Sequence, residues 1–257
     1  MSEKTILVTN DDGITSKGIA CLVAVMKHFG RVVVVAPSSP QSAKGHGISI
    51  NDPLRMKKVS VFGSDVEAYE SSGTPADCIK MAKAILFKDK EPDLVVSGVN
   101  HGSNAAVNIV YSGTVSGAME AGLEGIPAVA FSLLNWSHDA DFSMCEPFIN
   151  QIVQEAMSGG IPKYSIWNVN IPNLPAEQIK GIEVCRQAHS KWVEKFDQRE
   201  DPYGQSYYWL TGKFVNLDDG QDTDEYYLGQ GYVTIVPVHS DHTAYEHIDK
   251  LKSRWKC

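Results

Sequence analysis

The sequence has 257 residues, of which 43% are hydrophobic and 21% are charged, and its formal net charge is −8. This size and composition fit a globular protein with one large domain, or with one domain and a smaller appendage. The acidic balance and the lack of a Lys/Arg cluster argue against a nucleic-acid polymer as the main partner.

Strand and helix signals alternate from the N-terminus. A short apolar run at 5–9 precedes apolar residues at helical spacing that stop at Gly30, and the β-branched run RVVVVA follows at 31–36. Strands that are so uniformly apolar lie in parallel sheets with helices on both faces. We therefore predict a Rossmann-like α/β fold, a three-layer αβα sandwich with a mostly parallel sheet.

The same alternation continues to residue 174. Thr74 and Pro75 are typical of a helix start, and Ser112 or Thr114 begins another helix that ends at Gly125. The remaining segments are predicted as strands at 93–97, 127–132 and 165–171 and as a helix at 144–157. We assign residues 1–174 to a catalytic domain with this fold.

The pattern changes from about Pro175. The aromatic-rich runs SYYWLTGKFV and EYYLGQGYVTIVPV are separated by the acidic loop LDDGQDTDE, and a short amphipathic segment follows around Leu251 and Trp255. We predict that residues 175–257 form a C-terminal arm of β-hairpin and helix, with the acidic loop as a solvated hairpin tip. Because an exposed aromatic hairpin is hard to accommodate in a monomer, we expect a homodimer or homotetramer.

The sequence also bears on the compartment of the protein. It has no run of roughly 18 apolar residues, and its first residues, MSEKTILV, lack the apolar segment of a signal peptide. We expect a cytoplasmic protein with no membrane partner. The five cysteines are scattered and form no C-x-x-C pair, which argues against a disulfide framework and a thiolate zinc site: Cys21, Cys78, Cys145, Cys185 and Cys257.

Polar residues follow several predicted strands at once. In an open α/β sheet, ligands bind beyond the carboxyl ends of the strands. Carboxylate, amide and hydroxyl oxygens suit a hard cation such as Mg²⁺ or Mn²⁺, and a glycine-rich turn at a helix N-terminus suits a phosphate. This combination predicts hydrolysis of a phosphomonoester. The candidate residues are Asp11, Asp12, Ser42, Asn100, Asn104, Ser112, Gly113 and Thr114.

Each of these features also has a purely structural explanation. Asp-Asp-Gly after a strand is commonly a turn, Asn100 and Asn104 suit a left-handed backbone, and Ser112 suits a helix cap. Their coincidence at one sheet edge favours the functional interpretation. A second Asp-Asp-Gly, at 218–220, lies in the acidic loop and lacks the spacing of a calcium loop, so we expect no chemistry there.

Other site classes lack their motifs. There is no G-x-x-x-x-G-K-[ST], no G-x-G-x-x-G after the first strand and no G-x-S-x-G. This argues against a P-loop nucleotide triphosphatase, a dinucleotide cofactor and a serine hydrolase on an α/β sheet. The histidines at His239, His242 and His247 lack the i, i+4 spacing of a helical zinc site.

Several motifs together resemble the SurE family of survival-protein nucleotidases, in order and over nearly the whole chain: ILVTNDDGI, APSSPQSAKGHGISI, SSGTPADC, VSGVNHGSN, YSGTVSGAMEAG and WNVNIP. The resemblance implies a metal-dependent 5'/3'-nucleotidase that acts on nucleoside monophosphates, with a C-terminal region exchanged between subunits. It implies that one divalent cation per subunit is held by Asp11, Asp12, Ser42 and Asn100. It also implies phosphate contacts at 112–114, with Asn104 close by.

Two questions stay open at this level. Either Asp11 or Asp12 is a candidate to orient or deprotonate the attacking water; a covalent aspartyl-phosphate is disfavoured because that chemistry usually spaces its acids as D-x-D. The alternative class is a non-catalytic metal- or nucleotide-binding sensor, or a receiver-like phospho-signalling module. Receiver domains are shorter and lack the GVNHGSN and SGTV loops, and phosphate release from AMP or GMP separates the classes.

Overall fold

The structure of the protein is a computed structural model that describes residues 3–255. Residues 3–174 alternate strands and helices as predicted, and two unpredicted short strands, β3 and β4, are added. The elements are β1 Thr5–Thr9, α1 Lys17–Met26, β2 Arg31–Pro37, β3 Met56–Val59, β4 Glu67–Ser71, α2 Pro75–Met81, β5 Leu94–His101, α3 Gly113–Leu123, β6 Ala128–Leu133, α4 Glu146–Glu155 and β7 Ser165–Ile171.

The later elements are β8 Ile182–Val184, β9 Ser190–Glu200, β10 Ser206–Asn216, α5 Asp224–Gly229, β11 Val233–His239 and α6 Tyr245–Lys252. The main sheet has the order β3-β4-β2-β1-β5-β6-β7-β11-β8. Its centre, from β4 to β7, is parallel, whereas β3 and β11 pair antiparallel with their neighbours β4 and β7. This confirms the predicted mostly parallel α/β sheet.

Helices cover both faces of this sheet. On β1, Ile6 and Val8 are buried against a cluster that includes Ile19 of α1 and Ile149 of α4. Leu7, which points the other way, is buried with Ile79 of α2 and with residues of α3. Because both faces are covered, the strands are apolar on both sides, as the sequence pattern predicts.

Two helix starts follow the predicted capping chemistry. Thr74 caps α2, since its hydroxyl accepts a hydrogen bond from the Asp77 amide at 3.2 Å while the Asp77 carboxylate accepts one from the Thr74 amide at 3.0 Å. Ser112 caps α3 by accepting a hydrogen bond from the Val115 amide at 3.0 Å. The first residue of α3 is therefore Gly113, at the edge where β1 and β5 end.

The C-terminal region differs from the prediction in its pairing. The long hairpin joins β9 to β10 in a separate two-stranded sheet. The segment EYYLG, predicted as strand, is helix α5, because Thr223 caps it by accepting a hydrogen bond from the Tyr226 amide at 3.2 Å. Strands β8 and β11 belong to the main sheet, so the sheet does not follow the predicted division between residues 174 and 175.

The acidic loop LDDGQDTDE is not a solvated hairpin tip, and that prediction is wrong. The turn between β9 and β10 lies at 201–205 instead. Asp224 is fully buried, and its carboxylate accepts hydrogen bonds from the amides of Ala106, Ala188 and Glu225 at 2.8, 2.9 and 2.8 Å. All three partners are backbone amides, and two of them are distant in sequence. The acidic composition of the loop therefore could not predict that Asp224 is buried.

No helix within residues 3–255 has the length and apolar character needed to cross a membrane. The four cysteines in that range carry free thiols: Cys21, Cys78, Cys145 and Cys185. Cys257 lies outside the described residues.

Candidate active site

A cleft of about 550 Å³ lies between the carboxyl ends of the central strands and the β9–β10 hairpin. Five of the predicted site residues line it, namely Asp11, Ser42, Asn100, Asn104 and Ser112. The other three, Asp12, Gly113 and Thr114, lie directly behind this set and contact its members or their neighbours. The structure therefore brings all eight predicted residues to one place.

Asp11 is buried against the start of α3. The Thr114 hydroxyl donates a hydrogen bond to Asp11 Oδ1, and a Cβ added at Gly113 would lie 2.8 Å from the Asp11 side chain. Burial, and then the charge of Asp12, raise the pKa of Asp11 to about 6, while hydrogen bonds from Thr114 oppose that shift. A bound cation at this position would stabilise the ionised carboxylate.

Asp12 is held by the residue that follows Asn100. The backbone amide of His101 donates to Asp12 Oδ2 at 3.2 Å, and the His101 ring Nδ1 lies 3.0 Å from the same oxygen. The ring itself packs edge-on against Phe142, with centroids 4.8 Å apart. Oδ2 of Asp12 is thereby engaged, and Oδ1 forms no hydrogen bond with the described residues.

Asn100 is oriented by its own loop. Its Nδ2 donates to the carbonyl oxygens of His101 and Gly102, at 3.1 and 2.9 Å. Because both amide hydrogens are used, the amide oxygen is the polar atom that Asn100 retains for a ligand.

Ser42 lies in the 38–55 loop after β2, which is tied to the site at several points. The Gln41 amide donates to the Asp11 carbonyl oxygen at 2.7 Å, and the Gly45 amide donates to the Tyr111 carbonyl oxygen at 3.1 Å. Farther along, His46 Nε2 lies 2.9 Å from the buried carboxylate of Glu120. These contacts place the exposed Ser42 hydroxyl at the cleft although no secondary structure supports it.

Asn104 belongs to a buried polar network. Its backbone amide donates to Asn170 Oδ1 at 2.8 Å, its Nδ2 donates to Ser132 Oγ at 2.8 Å, and its carbonyl oxygen accepts from Asn168 Nδ2 at 2.9 Å. The network fixes the loop after β5 on the ends of β6 and β7. It leaves the Asn104 amide oxygen and the second hydrogen of Nδ2 available to a ligand.

Within the part of the chain that the structure describes, no three His, Cys, Asp or Glu side chains gather as a metal-binding group. The histidines at His239, His242 and His247 therefore form no such group there. The donor set of the cleft is of a different kind, since it combines two carboxylates with neutral amide and hydroxyl oxygens.

Comparisons with known proteins match this chain over most of its length. A family model described as survival protein SurE matches residues 6–194. Two relatives named 5'-nucleotidase SurE, from Flavobacterium psychrophilum and Cytophaga hutchinsonii, are 53% and 52% identical to it. These alignments cover 98% and 100% of this chain and 98% of each relative. The chain belongs to the SurE family.

A solved SurE structure has the same fold. The crystal structure of the SurE protein from Aquifex aeolicus superposes with a TM-score of 0.84 at 39% sequence identity. The superposition covers 98% of this chain and 100% of that one. The fold expected from the resemblance to the SurE family is thus confirmed.

The donor set of this SurE chain fits a hard divalent cation. Asp11 and Asp12 each keep one carboxylate oxygen without a hydrogen bond among the described residues, and Asn100 presents its amide oxygen. The Ser42 hydroxyl lines the same cleft. Oxygen donors without thiolate or imidazole suit Mg²⁺ or Mn²⁺ better than Zn²⁺.

Sequence reasoning missed the aromatic side of the SurE cleft. Trp136 lies flat on the loop after β5, since a Cβ at Gly102 would lie 2.4 Å from its ring. Trp192 of β9 is fixed by its Nε1, which donates to Asn108 Oδ1 at 2.8 Å. The alternating pattern of SKWVEKF predicts which side chains share a strand face with Trp192. No local sequence signal predicts that this face contacts the loops of the main sheet.

Proposed function

We propose that this SurE chain is a divalent-metal-dependent 5'-nucleotidase that hydrolyses nucleoside 5'-monophosphates to nucleoside and phosphate, with 3'-monophosphates as further candidate substrates. The main supporting observation is the cleft in which Asp11 and Asp12 lie beside Asn100 and the start of α3. The names of the relatives support the same reaction class. A homologous enzyme would use this cleft, because it lies where ligands bind in open α/β sheets.

One Mg²⁺ or Mn²⁺ per subunit would be held by Asp11, Asp12, Ser42 and Asn100. When bound, the cation supplies positive charge for the phosphate and lowers the pKa of a bound water. The adjacent carboxylates repel each other in its absence, and this repulsion contributes to the raised pKa of Asp11. The pair is therefore better suited to hold a cation than to support the fold.

The start of α3, at Ser112, Gly113 and Thr114, binds the phosphate. Backbone amides at a helix N-terminus donate to an anion, and the helix dipole favours negative charge there. Gly113 has no side chain to keep the phosphate away from the backbone, and a Cβ would meet Asp11. This local positive potential matters because the chain as a whole is acidic.

Asn104 offers a ligand both a donor and an acceptor. Its Nδ2 donates one hydrogen to Ser132 Oγ, so the second hydrogen of that amide and the amide oxygen both remain for a ligand. The remaining hydrogen suits a phosphate oxygen, and the amide oxygen suits a ribose hydroxyl or water. We therefore assign Asn104 to substrate binding beside the start of α3.

Water attacks the phosphorus directly while the P–O bond to the nucleoside breaks. The proton of the water passes to a free carboxylate oxygen of Asp11 or Asp12, and the nucleoside leaves as its alcohol when the leaving oxygen takes up a proton. Both aspartates are candidates, since Oδ2 of Asp11 and Oδ1 of Asp12 remain free of hydrogen bonds with other side chains among the described residues. Phosphate recovered covalently on Asp11 after acid quenching would overturn direct attack.

The test is release of inorganic phosphate from AMP and GMP with Mg²⁺ or Mn²⁺. We expect turnover that EDTA abolishes and that added metal restores. Turnover that is unaffected by EDTA would contradict the metal dependence. Nucleotide binding without turnover would favour the alternative class, a non-catalytic sensor.

A homodimer or homotetramer is also part of this proposal. Helix α6 has no buried residue, and Tyr245, Leu251 and Trp255 in and after it are 63%, 51% and 78% exposed. The hairpin adds exposed Phe196, Tyr208 and Trp209. Exposed apolar side chains on neighbouring elements are typical of subunit contacts, including contacts in which subunits exchange their C-terminal regions. Light scattering in solution tests it, and a monomer at micromolar concentration would contradict it.

A further inference from the structure

One face of the β9–β10 hairpin is turned toward the cleft. Residues directly opposite each other in an antiparallel pair share a face, and the register pairs Trp192 with Phe214 and Glu194 with Gly212. Trp192, Glu194, Leu210 and Gly212 line the same cleft as the aspartate site. The hairpin therefore supplies the wall that a substrate meets at the end away from its phosphate.

This wall carries one fixed aromatic ring. Gly212, opposite Glu194, has no side chain, and a Cβ there would lie 2.7 Å from a backbone oxygen of β9, so the two strands approach closely at this point. The Trp192 indole is held by its hydrogen bond to Asn108 and by an edge-on contact with Phe214, at a centroid distance of 5.9 Å. A fixed aromatic ring on the cleft wall suits a planar group, because stacking on aromatic side chains stabilises nucleobases.

The polar group in this wall is an acceptor. Within residues 3–255, no lysine or arginine forms an ion pair with Glu194, although Asp197 on the same strand pairs with Arg199 at 2.9 Å. An ionised carboxylate only accepts hydrogen bonds, and its two oxygens accept two parallel donors best. The carboxylate is thus free to read the edge of a base.

The four common bases differ in what they offer a carboxylate. Guanine presents two neighbouring donors, N1–H and the N2 amino group. Adenine and cytosine present one amino donor beside a ring-nitrogen acceptor, and uracil presents one N–H between two carbonyl oxygens. The carboxylate gains two hydrogen bonds from guanine, whereas each other base places an acceptor against it.

We propose that Glu194 makes this enzyme selective for guanine nucleotides by accepting hydrogen bonds from N1–H and the N2 amino group while the base lies against Trp192. The inference rests on the proposed nucleotidase function and names the substrate of that same cleft. Glu194 acts on specificity and takes no part in the transfer of the proton or the phosphate.

The experiment compares kcat/KM for GMP, IMP, AMP, CMP and UMP in the wild type, in Glu194→Gln and in the matched control Glu200→Gln at the far end of the hairpin. For the wild type we expect GMP to exceed AMP by about tenfold or more, with IMP between them because it keeps N1–H and lacks the amino group. In Glu194→Gln the ratio of GMP to AMP should fall to within about threefold, because an amide replaces one acceptor by a donor. Glu200→Gln should keep the wild-type ratio.

Two further measurements separate this inference from the proposed function. Hydrolysis of p-nitrophenyl phosphate, which has no base, reports the phosphatase reaction alone. Dissociation constants of GMP and AMP, measured by calorimetry with EDTA present, report base preference even if no substrate is turned over. Equal preference for AMP and GMP in both measurements, or a ratio that Glu194→Gln leaves unchanged, would overturn the role of Glu194.

Discussion

The tripeptide Asp-Asp-Gly occurs twice in this chain, at 11–13 and at 218–220, and its two copies have opposite electrostatics. In the first, burial and the charge of Asp12 raise the pKa of Asp11 to about 6. In the second, hydrogen bonds from the Arg186 guanidinium hold the pKa of Asp218 well below its usual range. The surroundings of each copy determine the pKa of its first aspartate. Among the residues that the structure describes, no lysine or arginine pairs with the first copy, whereas Arg186 pairs with Asp218 in the second.

The largest expected effect separates the two copies directly. Asp12→Asn should reduce phosphatase kcat/KM by more than about 100-fold, because it removes a carboxylate from the proposed metal site. The matched variant is Asp219→Asn, the second aspartate of the other copy, which is exposed. It should retain nearly full activity. Equal losses in the two variants would contradict a specific role of the first copy in the reaction.

The next effect tests how Asp11 is positioned. Thr114→Val removes the hydroxyl that donates to Asp11 Oδ1 and keeps the shape of the side chain. We expect metal affinity to weaken by about 10- to 100-fold, as is common for partners of metal ligands. Calorimetric titration with Mn²⁺ measures this independently of turnover.

Thr114→Ser is the control for that variant, since it keeps the hydroxyl and should bind Mn²⁺ nearly as the wild type does. If Thr114→Val binds Mn²⁺ with unchanged affinity, the contact to Asp11 serves the fold and not the metal. In that case metal binding by Asp11 would not depend on the Thr114 hydroxyl.

The sequence predicted the surroundings of the first copy better than those of the acidic segment that contains the second copy and Asp224. Around Asp11, the apolar strand before it and the capped helix at Ser112 are local signals, and the rule for parallel sheets brings their ends together. Around Asp224, the partners are backbone amides of Ala106 and Ala188, which local composition does not show. Hairpin residues such as Glu194 reach the cleft only through tertiary packing.

Asp224, in the acidic segment after the second copy, supports the hairpin side of the cleft through backbone hydrogen bonds. It accepts from the Ala106 amide at the start of the 3₁₀ segment Ala106–Val110, which includes the Asn108 that holds Trp192. Asp224→Asn replaces one acceptor by a donor in a fully buried position. We expect the free energy of unfolding in urea to fall by about 1 to 3 kcal/mol.

The control for that variant is again Asp219→Asn, which should change the free energy of unfolding by less than about 0.5 kcal/mol, as exposed substitutions do. If Asp224→Asn were equally neutral, the backbone hydrogen bonds lost at the substituted oxygen, at most two of the three, would contribute little to stability. The buried Asp224 carboxylate would then not be needed to hold this segment in place.

The smallest effect concerns Glu225, the neighbour of Asp224. Burial and the charge of Asp224 raise the pKa of Glu225 from 4.5 to about 7. Between these pH values the folded state keeps a proton that the unfolded state releases. The free energy of unfolding contributed by Glu225 therefore falls as the pH rises through this window, and it stays lower above pH 7.

Glu225→Gln removes this ionisation, so the variant should gain stability relative to the wild type as the pH rises from about 5 to 8. A full shift of this size corresponds to about 3 kcal/mol, and partial exposure of Glu225 reduces the expected gain to about 1 kcal/mol at pH 8. Urea unfolding at both pH values measures the gain, with the exposed Glu177→Gln as control. A gain that is the same at both pH values would come from packing, and it would contradict the raised pKa of Glu225 in the folded state.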